Sequence, residues 1–200
     1  MRSWSASIWL YLDRRILALF VLGFASGLPL LLVYSTLSFW LRQENVSLTE
    51  IGWFSLAGTA YGLKFVWAPL VDHIRIPILT ACLGQRRSWL LCAQVAVAAT
   101  ILALGATNPG ETLTLTAFWA VALAFASATQ DIVVDALRIE MLDDEEQGSG
   151  AANFVNGYRV GTLAAGAGAL ILADVYGWFW AYAAIATLMI LCMVVTLLLP

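Results

Sequence analysis

Six apolar blocks alternate with short polar links along the chain. They cover about residues 16–40, 51–70, 89–106, 113–137, 151–173 and 178–199. Each is near 20 residues long, the length that crosses roughly 30 Å of hydrocarbon as a helix. In lipid the backbone must satisfy its own polar groups, and a helix does so within one segment. The pattern predicts an all-α polytopic membrane protein of six transmembrane helices. The stretch "WLYLDRRI" at 9–16 reads as a short interfacial helix leading into the first span, because the apolar run after it is too long for a cleaved signal peptide. Pro200 falls where the sixth helix would stop.

Composition agrees with the pattern. Of the 200 residues, 62% are hydrophobic and 12% charged, whereas soluble domains run near a quarter charged. The net charge of −3 matters less than where the basic residues fall. With the N-terminus inside, the inner segments hold Arg2, Arg14, Arg15, Arg75, Arg86, Arg87 and Arg138, and the outer loops only Arg42. That asymmetry places both termini in the cytoplasm. Trp40, Trp53, Trp89 and Trp178 fall at block ends, where an aromatic belt would place them. The ten basic residues are scattered, so nothing points to nucleic acid. Cys82, Cys92 and Cys192 show no paired spacing and no metal pattern with His73, the one histidine. They read as free thiols, with neither metal nor cofactor implied.

Three ionisable residues lie well inside spans: Lys64, Asp131 and Arg159. Counted along their helices, all three sit roughly 10–12 Å below the inner surface, which suggests one polar layer. A charge facing lipid at that depth costs several kcal/mol, so these groups should face each other or water. Lys64 and Arg159 can alternatively snorkel to the headgroups. Asp131 is too short for that, and a polar cavity is the better account of it. Its neighbour Gln130 adds a donor and an acceptor. Asp135 and Arg138, three apart near the interface, suggest a structural pair on one helix face.

Small residues mark two helices. The first span carries Gly23, Gly27 and Pro29, and the proline removes an i→i−4 bond, so a bend is expected in the outer half. The fifth carries Gly157 and Gly161 in "GYRVG", then Gly166 and Gly168. The GxxxG form lets helix backbones approach closely. The acidic link "EMLDDEEQGSG" precedes the fifth span, where acids suit the positive end of the helix dipole. Helices one, two, four and five, which carry the polar residues, should line one face. Helices three and six should support them from the lipid side.

Several stretches together resemble one family: "LGFASGLPLLL", "IGWFSLAGTAYGLKFVWAPLVD", "GQRRSWLL", "SATQDIVVDAL", "EEQGSGAA" and "GYRVG". The chain looks like the N-terminal half of a major facilitator transporter, of the AmpG-type muropeptide permeases of bacterial inner membranes. The superfamily's loop signature between helices two and three is similar to the segment holding Asp72, Gly84, Arg86 and Arg87. Here it is stretched by "HIRIPILTAC", and Ala68 stands where its first glycine would be. The resemblance makes Asp72–Arg138 a candidate gating pair.

The resemblance implies a fold of two six-helix halves, of which residues 1–200 supply the first. It also implies proton-driven import of anhydro-muropeptides for cell-wall recycling, with the lipid bilayer, protons, a muropeptide-like solute and a C-terminal six-helix half as partners. Asp131 is then the proton-coupling candidate, and Lys64, Gln130, Tyr158 and Arg159 the substrate-cavity candidates. Asp72, Arg86, Arg87, Asp135 and Arg138 become gating or structural groups, and Gly27, Pro29, Gly157 and Gly161 shape the helices. Alternatives are another anionic solute, since the broad family resembles acetyl-CoA transporters, or a half that transports nothing without a partner chain. No Ser/His/Asp, HExxH or CxxC constellation suggests an enzyme.

Overall fold

The computed structural model describes residues 13–199. Arg2, most of the expected interfacial segment and Pro200 lie outside the described residues. Among the described residues, five helices are long and apolar enough to cross a membrane. They are α1 (Arg14–Gln43), α6 (Gln85–Gly105), α7 (Leu113–Met141), α8 (Gln147–Tyr176) and α9 (Trp178–Leu198). Between α1 and α6 lie four short helices: α2 (Leu48–Phe54), α3 (Thr59–Leu63), α4 (Ala68–His73) and α5 (Leu79–Leu83). No strand occurs among the described residues.

The second apolar block is therefore helical but segmented, with 3-10 turns at Ser55–Gly58 and Lys64–Val66. Its sequence accounts for the breaks. The Ser55 hydroxyl donates to Gly52 O at 2.6 Å and the Thr59 hydroxyl to Leu56 O at 2.7 Å, local bonds that compete with the i→i−4 ladder. Pro69 then removes a donor at the start of α4. The far end is held from outside: Gln85 Nε2 donates to Val71 O, Asp72 O and Ile74 O at 3.3, 2.8 and 3.1 Å.

Pro29 lies inside α1, and a π-helical turn follows at Leu32–Thr36. A matching turn interrupts α8 at Ala164–Gly168. The two meet, and the buried Thr36 hydroxyl donates to Ala165 O at 2.9 Å. The perturbation is absorbed as a wider turn within a continuous span.

Helix α1 is the hub. It packs along α8 for most of its length and also touches α7 and α9; α6 packs between α7 and α9, and the segmented stretch leans on α7. Lipid supplies no hydrophobic drive between helices, so close van der Waals fit must hold them. Four glycines provide it at the α1–α8 crossing. A Cβ at Gly23 or Gly27 would overlap the carbonyl oxygens of Phe154 or Tyr158; one at Gly157 or Gly161 would overlap those of Phe20 or Phe24. The contacts advance together along both chains, so the helices run parallel.

The apolar core falls into two clusters. One gathers around Leu28, Leu32, Val97, Leu123 and Tyr182. The other gathers the start of α1 and the last turns of α7 around Leu19, Leu90, Val133 and Leu137. Buried polar side chains include Ser26, Gln94, Ser127, Gln130 and Thr196, and the Thr196 hydroxyl donates to Gln94 Oε1 at 2.9 Å.

The tryptophans divide. Trp53 is 67% exposed, as a belt residue would be, but Trp40 is only 4% exposed. Trp40 stacks on Trp178 at 5.2 Å between ring centroids, and Trp178 Nε1 donates to Gln43 Oε1 at 2.9 Å. These two rings join the end of α1 to the start of α9, so Trp40 is a packing residue.

Candidate functional site

Asp131 and Asp135 lie one turn apart on α7, so their side chains share a face. Lys64 opens the 3-10 turn at Lys64–Val66, and its Nζ sits 3.1 Å from Asp135 Oδ2. Both side chains of this pair are partly exposed, at 35% and 48%.

Asp131 is half-buried beside the pair. It lies within electrostatic range of Ser26 on α1, Lys64, and Asp135 on its own helix. Tyr61 on α3 and Tyr158 on α8 also face it. Four elements thus converge on one carboxylate, and two come from α1 and α8, locked together by the glycine crossing. Behind it, Ser26 Oγ, Tyr61 Oη, Ser127 Oγ and both amide atoms of Gln130 are buried without a hydrogen-bond partner. Such orphaned groups are uncommon in cores and mark a place where polar partners can be taken up.

The expected residues are only partly brought together. Lys64, Asp131 and Tyr158 meet around the site. Gln130 is fully enclosed in the core, 0% exposed, rather than lining an open cavity. Arg159 is exposed on α8 and makes no ion pair with the described residues.

Two pairings expected from the sequence are not those of the structure. Asp135 does not pair with Arg138: its partner is Lys64, 71 residues away, because the segmented stretch places that lysine directly against α7. The Arg138 guanidinium instead lies over the Phe154 ring, 5.4 Å from its centroid, where a cation is attracted to the ring face. Asp72 likewise pairs with Arg86, not Arg138. Arg86 reaches Glu140 as well, at 2.9 Å from Nη2 and 3.0 Å from Nε. One arginine thereby ties the ends of α4 and α7 to the start of α6. Arg87 donates to Leu83 O at 2.8 Å and to Leu199 O, fixing the same end of α6 to the end of α9.

Trp67 is the residue that sequence reasoning missed. Its ring stacks on Phe125 at 4.5 Å, and its Nε1 donates to Thr129 Oγ1 at 3.2 Å. It clamps the stretch to α7 just beyond Lys64. An aromatic with a ring donor two residues before a proline was the available signal. Beside it, an apolar groove of about 360 Å³, lined by Phe54, Ala57, Leu63, Trp67 and Phe125 among others, separates the stretch from α7. No group of three or more metal-ligating side chains assembles among the described residues.

Comparison with known proteins adds relatives. The family described as acetyl-coenzyme A transporter 1 matches residues 15–113. Over 183 residues the chain is 48% identical to the anhydromuropeptide permease of Escherichia coli K12, covering 91% of this chain and 36% of that protein. It is 42% identical over 171 residues to putative transporter AmpG 4 of Rickettsia felis, covering 86% of this chain and 41% of the relative. An uncharacterized protein of Haemophilus influenzae is 41% identical over 165 residues, covering 82% and 38%. The chain thus spans well under half the length of these curated relatives.

Proposed function

Because the chain belongs to the AmpG-type permease family, we propose that it forms the N-terminal six-helix half of a proton-coupled solute transporter. The solute in this reading is an anhydro-muropeptide, carried from periplasm to cytoplasm across a bacterial inner membrane with both termini of this half cytoplasmic. The stretch 48–73 counts as the second span of the half. The segmented backbone suits that place, since irregular helix is tolerated at membrane depth only where it lines a cavity or is covered by protein.

The observation that carries the proposal is the cluster of the half-buried Asp131 with the partly exposed Lys64–Asp135 pair. Ionised groups inside spans are costly unless they face a polar pathway. Asp131 takes the proton in the outer-facing state and loses it inside. Lys64 and Arg159 either release Asp131 for that exchange or hold an anionic group of the solute, such as a peptide carboxylate. Tyr158 and Gln130 hydrogen-bond sugar or peptide groups, Gln130 after a rearrangement that uncovers it. Asp72, Arg86 and Arg87 act as an inner-side latch, and Arg138 steadies the end of α7. A second half, such as the remaining length of the relatives would supply, closes over the partly exposed pair. The protein moves its solute without chemical change.

The test is uptake of labelled anhydro-muropeptide by vesicles holding this half together with a C-terminal half. Asp131→Asn should abolish uphill accumulation while the protein remains in the membrane. Normal uphill uptake by that variant would remove Asp131 from coupling. The match to an acetyl-coenzyme A transporter family over residues 15–113 favours a second reading, an acylated or nucleotide-bearing anion as solute. Competition by acetyl-CoA, but not by muropeptide, would favour it.

A further inference from the structure

Lys64 is the one lysine of the sequence. It stands against two carboxylates that share a helix face, pairing with Asp135 at 3.1 Å while lying within electrostatic range of Asp131. Residues four apart on a helix have Cβ atoms roughly 5–6 Å apart, so a four-carbon side chain can serve either without moving its own helix far. Lys64 opens a short 3-10 turn in which its own φ/ψ is −54°/−27°. Leu63 and Trp67, which bracket the 3-10 turn, have φ/ψ of −94°/1° and −106°/−2°, well away from the ideal α-helical values. Ser26, which faces Asp131, has a buried hydroxyl without a hydrogen-bond partner.

We propose that Asp135 is a positioning residue for Asp131, acting by competing with it for Lys64. When Asp131 is protonated, Lys64 stays on Asp135, and the neutral carboxyl is held by Ser26. When Asp131 loses its proton, two carboxylates face one cation, and Lys64 moves toward the more enclosed charge, which has less water to stabilise it. The only bond broken is the Asp131 carboxyl O–H, whose proton passes to solvent or solute, and the lysine remains charged throughout. The groups facing Asp131 are Ser26 from α1, Tyr61 and Lys64 from the segmented stretch, Asp135 from α7 and Tyr158 from α8. Lys64 is the one cation among them, so its position decides the local charge balance. The proposal rests on the reading of Asp131 as the coupling carboxylate, and it gives Asp135 a role beyond a static structural pair.

A single lysine makes the competition directly observable. The chain is produced with ¹⁵N-lysine and ¹³C-aspartate, placed in lipid bilayers, and its Nζ–carboxylate contacts are read by solid-state NMR at low and high pH. The expected contact is to Asp135 at low pH and to Asp131 at high pH. Asp135→Asn should leave a contact to Asp131 at high pH, and Asp131→Asn a contact to Asp135 at every pH. A contact that stays on Asp135 across the range in the wild type overturns the proposal, as does an Asp135→Asn protein whose lysine never meets Asp131. Should Asp135→Asn fail to fold, the wild type and Asp131→Asn decide alone. The readout involves no transport, so muropeptide uptake can fail while the lysine exchange is seen, and the reverse.

Discussion

Exchanging Gly157 for alanine tests whether backbone contact holds α1 and α8 together. A Cβ built at Gly157 overlaps Phe20 O and stands 2.8 Å from Phe20 C and 3.0 Å from Phe24 N. Carbon contacts settle near about 3.5–4.0 Å, so the helices must part by roughly 1 Å. Overpacking costs about 1–3 kcal/mol, and the upper end applies here because backbone atoms cannot rotate aside. Alanine in a helix interior recovers about 0.5–1 kcal/mol relative to glycine. The clash wins, with a net loss of about 2 kcal/mol, or roughly 25–30-fold in the folding equilibrium. Gly148 provides the control, since it opens the same helix and an added Cβ there meets nothing within 4 Å. Gly148→Ala should therefore be neutral or stabilising. Reversible SDS unfolding in mixed micelles, followed by circular dichroism, measures both. If Gly157→Ala is as stable as the parent, the crossing does not depend on glycine.

Two further outcomes are expected. Thr36→Val, which keeps the shape but leaves Ala165 O without its 2.9 Å donor, should lower stability by about 0.5–1.5 kcal/mol in the same assay, with Thr36→Ser close to the parent. After replacement of Cys82, Cys92 and Cys192, single cysteines at Asn108 and Gly148 should react with an impermeant maleimide from opposite sides of the membrane; labelling of both from one side would refute the proposed orientation.

Much of this protein is determined locally. Block length and composition are enough to require membrane helices, because a backbone in lipid has few ways to satisfy itself. Desolvation acts residue by residue, so a short aspartate deep in a span, Asp131, points to a polar site before any partner is known. Small-residue spacing behaves the same way: Gly157 and Gly161 announce a close helix approach, although not that Gly23 and Gly27 of α1 are the other side of it. Pro29 announces a disturbance, and the structure decides that it takes the form of a π-helical turn joined to a second one.

Partner choice is not local. Asp135 has a cation three residues away, yet its ion pair is with Lys64, because the break in the second block brings α3 and its 3-10 turn against α7. Asp72 pairs with Arg86, which also reaches Glu140, for a similar reason, since three helix ends meet there. Trp40 carries the same apolar, interface-seeking side chain as Trp53, and only the approach of α9, with Trp178, buries one of them. Sequence spacing within a helix sets which groups share a face. Which of them meet a charge, a ring or lipid depends on the neighbour placed opposite, and that neighbour is chosen by packing over the whole bundle.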